Sequence, residues 1–196
     1  MKKNLINLYI NLSSFMYKKY MRYKNTKFET NNFTIKGKPL IKNKGTFLIK
    51  DNVKINSKYN VNPIGGNTFS TFIIDKNAKI IINEGCRISN ATLYSKKEII
   101  LGKNVFIGGD CRIYDTDFHS LNLSERIKEI DNDIKSKPIF IKDGVFVGAS
   151  SIILKGVTIG TNSIIGAGSV VTKSIPDNEI WGGNPAKFIK KIENGK

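Results

Sequence analysis

From Ile141 to Pro176 the apolar positions recur every six residues: IKDGVF, VGASSI, ILKGVT, IGTNSI, IGAGSV, VTKSIP. The first positions are Ile141, Val147, Ile153, Ile159, Ile165 and Val171, all β-branched. The fifth positions are Val145, Ser151, Val157, Ser163, Ser169 and Ile175, most of them small, and glycine holds the second at Gly148, Gly160 and Gly166. A helix would repeat near 3.6 residues and an ordinary strand near 2. A period of six fits a parallel β-helix with three flat sides, one hexad to a side. The first residue then points inward and stacks on its equivalents in the coils above and below. A small fifth residue lets the triangular interior close, and glycine at the corner is expected to supply unusual dihedrals.

The same pattern runs upstream with interruptions, in IDKNAK (74–79), INEGCR (82–87), ISNATL (88–93), LGKNVF (101–106) and IGGDCR (107–112). Cys86 and Cys111 stand at fifth positions beside Ala78, Thr92 and Val105, so both are expected to be small inward packing residues. Weaker hexads begin near Ile35, Ile49 and Ile55, and residues 64–72 read as an irregular corner. The expected fold is therefore all-β, a solenoid from about residue 33 to 176 in roughly six or seven coils spaced about 4.8 Å apart. Its register breaks at length once, over residues 114–138. A long loop thrown out of a compact solenoid is often functional, and this one holds the only histidine of the chain, His119.

The ends read differently. Leu5, Leu8, Leu12, Phe15 and Met16 have helical spacing with lysines on the other side, so residues 1–32 are expected to be a helical segment capping the open end of the solenoid. Such a basic amphipathic segment also suits peripheral docking on a membrane surface. Residues 33–185 form the β-helix domain. Residues 186–196, with Phe188, Ile189 and Ile192 following Pro185, are expected to form a short C-terminal helix.

The chain has 196 residues and a net charge of +16, from 32 basic and 16 acidic side chains. The lysines are scattered rather than gathered in a stripe, which argues against a nucleic-acid partner. The charge fits a solvated surface or attraction to anions such as CoA phosphates, an acidic glycan or anionic lipid. No apolar run reaches the length of a membrane span, and the basic start lacks a cleavage site. The expected location is the cytoplasm, possible docking placing it at the inner membrane surface. No Cys-x-x-Cys pair suggests zinc or redox chemistry.

Four stretches carry a resemblance to a known family: IYDTDFHSL (113–121), VFVGASSIILKGVTIG (145–160), IGAGSVVTKSIP (165–176) and WGGNPAKFIKKI (181–192). Over about residues 70–192 the chain resembles the hexapeptide-repeat acetyltransferases, most closely those that O-acetylate sugars of bacterial capsule, lipopolysaccharide or sialic acid. The resemblance implies a left-handed β-helix, against the general right-handed rule for crossovers. It implies a homotrimer with active sites between subunits, acetyl-CoA as co-substrate, no metal, and a sugar or glycan as acceptor.

It also assigns residues. A sugar hydroxyl attacks only as its proton leaves, and imidazole suits that transfer, so His119 is the expected base in a direct, ternary-complex reaction. Asp117, or alternatively Asp115, would orient the ring. A backbone amide near Ala149 would stabilise the developing charge on the thioester oxygen. By motif, Ala149, Ala167, Thr172, Lys173 and Lys190 would contact acetyl-CoA. Asp115 would meet the acceptor, as would Ser89 and Asn90 from a coil that faces it, and Trp181, where many relatives have a small residue, would shape the groove at the acceptor or pack beneath the C-terminal helix. N-acetylation of an amino-sugar nucleotide and a non-catalytic binding β-helix are the alternatives. A zinc-dependent carbonic anhydrase on the same fold would need three histidines, and the chain has one.

Overall fold

The structure is a computed structural model and describes residues 15–17, 19–23, 26–28, 32–64, 66–130 and 132–193. The chain coils through three parallel sheets, taking one strand from each in turn. The first side holds β1 (Thr26–Phe28), β4 (Thr46–Ile49), β7 (Lys79–Ile82), β10 (Glu98–Leu101), β13 (Ile139–Ile141) and β16 (Thr158–Ile159). The second holds β2 (Thr34–Gly37), β5 (Lys54–Ser57), β8 (Arg87–Ser89), β11 (Phe106–Ile107), β14 (Phe146–Val147), β17 (Ile164–Ile165), β19 (Glu179–Gly182) and β20 (Lys187–Lys191). The third holds β3 (Leu40–Asn43), β6 (Thr71–Ile74), β9 (Thr92–Ser95), β12 (Arg112–Tyr114), β15 (Ile152–Ile153) and β18 (Val170–Val171). This is the expected three-sided solenoid.

First-position residues stack in register along each side. Ile55, Ile88, Ile107, Val147 and Ile165 form one column, and Leu93, Ile113, Ile153 and Val171 another. All are at most 3% exposed, and burying each stabilises the fold by about 1.5–3 kcal/mol. The small fifth positions do more than fill space. Cys86 Sγ donates to the Gly102 carbonyl (3.0 Å), Cys111 Sγ to Gly148 (3.1 Å) and Ser151 Oγ to Gly166 (3.1 Å), each a corner carbonyl one coil on. Burial pushes the two thiols up to about 12 and about 11, as befits inert packing residues.

Four expectations change. The hexad at Ile88 is one residue short, because Leu93 follows Ile88 where Ile113 follows Ile107. Ala91, not Thr92, therefore fills the inward slot. Two of the second-position glycines are required by space rather than by dihedral: a Cβ on Gly148 would lie 2.5 Å from the Ala167 nitrogen in the next coil and one on Gly160 2.3 Å from the Asp177 nitrogen, whereas one on Gly166 would meet nothing nearer than 3.6 Å. Positive φ falls on the fourth position instead, at Gly144, Ser150, Gly156, Asn162 and Gly168. The solenoid begins before residue 33, since β1 already pairs with β4.

The fourth change is at the C-terminus. Residues 187–191 are strand rather than helix, because β20 turns back antiparallel onto β19 and covers the sheet edge that β19 would expose. Trp181 packs edge-on to Phe188 at 6.4 Å, which fixes that hairpin.

At the N-terminal end, residues 15–17 and 19–23 are helical. Met21 is fully buried and the Tyr17 hydroxyl donates to the Pro39 carbonyl, which docks the helix on the first coils. Leu5, Leu8 and Leu12 lie outside the described residues. Among the described residues no helix is long and apolar enough to cross a membrane.

Candidate active site

The loop leaves the solenoid where the chain passes from the third side to the first. Its stem is a short antiparallel ladder. Thr116 bridges Ser136, the Asp117 amide donates to the Lys135 carbonyl (3.1 Å) and the Lys137 amide to that of Asp115 (2.9 Å). Asp115, fully buried, roots this stem. Its carboxylate accepts from Ser95 Oγ (2.9 Å) and from the amides of Lys96, Lys97 and Glu98 (2.7–2.8 Å). Those bonds place Asp115 in loop anchoring.

Both neighbours of His119 are pinned. On one side Phe118 sits edge-on to Tyr94 (4.9 Å) and Tyr114 (5.2 Å), which stack on adjacent coils of the third side. Phe118 has φ +66, a left-handed conformation that a bulky residue adopts only where its surroundings impose it. Burial pushes the Tyr94 hydroxyl up to about 12, and it donates to Asp75 Oδ2 (3.0 Å). On the other side Ser120, 1% exposed, donates to Asp133 Oδ2 (3.2 Å) and its carbonyl accepts from Arg126 (3.0 Å). Asp117, two residues before the ring, accepts at Oδ1 from Lys155 Nζ (2.6 Å). His119 itself is exposed. Lys155, Tyr94 and Tyr114 were not singled out from the sequence. The hexad register, which sets Lys155 at the corner beside the loop, was the signal that could have found the first.

The remaining candidates divide between two borders of the third side. Thr172 and Lys173, both exposed, lie with Lys155 and the loop at the third–first border. Ala149 and Ala167 lie at the second–third border in successive coils, where the Gly168 amide donates to the Ala149 carbonyl (2.8 Å). Among the described residues the amides of Ala149 and Ala167 have no acceptor, although those of Gly148, Ser150, Gly166 and Gly168 do.

Ser89 and Asn90 lie lower on the second–third border. Asn90 is 1% exposed beneath Asn62 and Thr68: its Nδ2 donates to the Asn62 carbonyl (2.8 Å) and its carbonyl accepts from Thr68 Oγ1 (3.2 Å), while its Oδ1 is buried without a partner. Lys190 is exposed on β20, opposite Ile180. Trp181 is half-buried and its Nε1 donates to Glu179 (2.7 Å). Among the described residues no group of three or more His, Cys, Asp or Glu side chains is placed to hold a metal ion.

A three-sided parallel coil with a hexad repeat defines the class: a left-handed hexapeptide-repeat β-helix protein. Residues 138–173 match the family described as bacterial transferase hexapeptide (six repeats). A galactoside O-acetyltransferase of Lactococcus lactis is 39% identical over 105 residues, 54% of this chain and 49% of its own length. The structure of the hexapeptide-repeat acetyltransferase VCA0836 of Vibrio cholerae, complexed with acetyl-CoA, superposes with a TM-score of 0.57 at 29% identity, covering 64% of this chain and 66% of that one. A variant of AntD, an N-acyltransferase of Bacillus cereus complexed with dTDP and coenzyme A, gives 0.65 at 26% identity over 83% and 82%. Residues 138–173 thus carry the bacterial transferase hexapeptide repeat, and the chain is similar to hexapeptide-repeat acetyltransferases. It spans about half the length of the curated relatives it matches.

Proposed function

We propose that the protein is an acetyl-CoA-dependent O-acetyltransferase acting on a hydroxyl of a sugar or surface glycan, with His119 as general base. The observation that carries this is an exposed histidine on a segment pinned at both flanks, next to a phenylalanine held at positive φ. The flanks fix the backbone that carries His119, and a base needs its geometry set beforehand. His119 takes the hydroxyl proton as the acceptor oxygen bonds to the thioester carbon, then returns it to the sulfur as the carbon–sulfur bond breaks. Asp117 orients the imidazole and supports its positive charge. The Ala149 amide receives the oxyanion. Ala149 and Ala167 give the pantetheine arm a small-residue path, with Thr172, Lys173 and Lys190 at the donor's polar parts. Ser89 and Trp181 border the acceptor, while Asn90, 1% exposed, holds the overlying chain through the Asn62 carbonyl rather than meeting a substrate.

His119 and the free amides lie on opposite borders of the third side, so the assembly that joins them is a homotrimer in which one subunit's loop faces its neighbour's corner. The reaction belongs to the cytoplasm. Phe15, Met16 and Tyr23, each at least 68% exposed near Lys19 and Arg22, suit contact with the inner membrane surface where a lipid-linked acceptor would stand.

Two measurements test this. Acetyl-CoA at 100 times its dissociation constant should stabilise the fold by about 2.7 kcal/mol, and absence of that rise in folded protein would reject the donor. His119→Ala should keep the stabilisation and lose about 10²–10⁴-fold in transfer rate. The likeness to an N-acyltransferase favours a second reading, transfer to an amine. Paired hydroxyl and amino sugars as acceptors separate the two.

A further inference from the structure

We propose that Lys155 is a positioning residue, acting through Asp117 to set where the His119 imidazole stands; this rests on the reading of His119 as the base. Lys155 sits at the third position of the hexad ILKGVT, on the corner turn beside the emerging loop. Its Nζ meets Asp117 Oδ1 at 2.6 Å, with the two side chains 26% and 21% exposed. The Lys142–Asp177 pair, by contrast, is half exposed on both sides, where solvent leaves little net attraction. The Lys155–Asp117 pair is better shielded and joins residues 38 apart in sequence, tying the rigid coil to the loop two residues before the histidine.

The geometry gives Lys155 one consequence for chemistry. Holding Oδ1 restricts rotation of the Asp117 carboxylate and ties the chain two residues before His119 to the coil. Phe118 cannot do this alone, because its ring contacts hold its own side chain and leave the Asp117 carboxylate free to rotate. The same corner turn continues through Gly156, whose amide donates to the Lys137 carbonyl (3.2 Å), so the lysine rises from a turn already bonded to the returning strand of the stem. Lys155 thus carries the rigidity of the solenoid to the reacting group without meeting substrate.

The test uses the fact that His119 is the only histidine, so its ring resonances need no assignment. In the 196-residue chain, shown to unfold cooperatively, Lys155→Met should shift those resonances, lower kcat for acetyl transfer to a galactoside probe about tenfold and leave KM for acetyl-CoA unchanged. Lys155→Arg, which keeps the cation, should restore ring positions and rate. In an Asp117→Asn background, Lys155→Met should change nothing further. Ring resonances at wild-type positions in Lys155→Met, or additive effects of the two substitutions, would overturn the proposal. Should His119→Ala retain full transfer, the base assignment fails on its own, and the resonance comparison still decides whether Lys155 governs the ring.

Discussion

At one corner, two glycines two positions from each other's equivalents do different work. Gly148 has an ordinary φ but no room: a Cβ would meet the Ala167 nitrogen and Cα at 2.5 and 2.8 Å. Gly168 has open space but φ +71. The first needs smallness because successive coils approach there, and the second needs the left-handed region, which asparagine also tolerates. Asn162 holds the equivalent position one hexad earlier at φ +57. Gly148→Ala should therefore cost about 3 kcal/mol by overpacking, whereas Gly168→Asn should stay within about 1 kcal/mol of wild type. Urea unfolding of the two variants checks this, and equal losses would refute the division of roles. From the sequence, Gly148 reads as a dihedral device. Only the stacking of coils, which no single hexad contains, separates them.

At the scale of elements, the hexads from Ile141 to Pro176 were legible because every one places a β-branched residue inward at its first position and most place a small one at the fifth. The loop was legible as a break in that demand. Three features were not. The five-residue step at Ile88 is visible only once Leu93 is aligned with Ile113. The C-terminal strand follows from an open sheet edge rather than from its own spacing, in which Phe188 and Ile189 look helical. The anchoring of Asp115 depends on amides from a coil some twenty residues earlier. That last feature yields a prediction. Asp115→Ala would leave the amides of Lys96, Lys97 and Glu98 without their acceptor and should cost about 3 kcal/mol. Hydrogen exchange should speed up in residues 95–98 and in the loop stem while the coils from Ile141 to Val171 keep their protection. Uniform loss of protection would show that Asp115 supports the whole solenoid instead.

For the whole molecule, the placement of His119 and the Ala149 amide decides what kind of assembly the proposed chemistry would need. The Ala149 amide and the Lys155 corner are separated by the width of the third side, five or six extended residues or about 15–20 Å. Acyl transfer needs base and oxyanion donor within about 3 Å of one reacting centre. A rigid side with its loop tied to one border does not close that gap, whereas a second copy placing its second–third border against the loop does. A closed ring of three copies repeats this heterologous contact without leaving a free end. Subunits lacking His119 should then complement subunits whose corner is blocked. His119→Ala and Ala149→Trp would each be inactive alone. Unfolded together and refolded at equal ratio, three-quarters of trimers would be mixed, and each mixed trimer would own one site with both halves intact, giving about a quarter of wild-type activity. Recovery of that fraction would place each site between two chains. No recovery from trimers shown to be mixed would place His119 and the Ala149 amide in the same chain's site, and the loop would then have to leave its Lys155 tether to reach it.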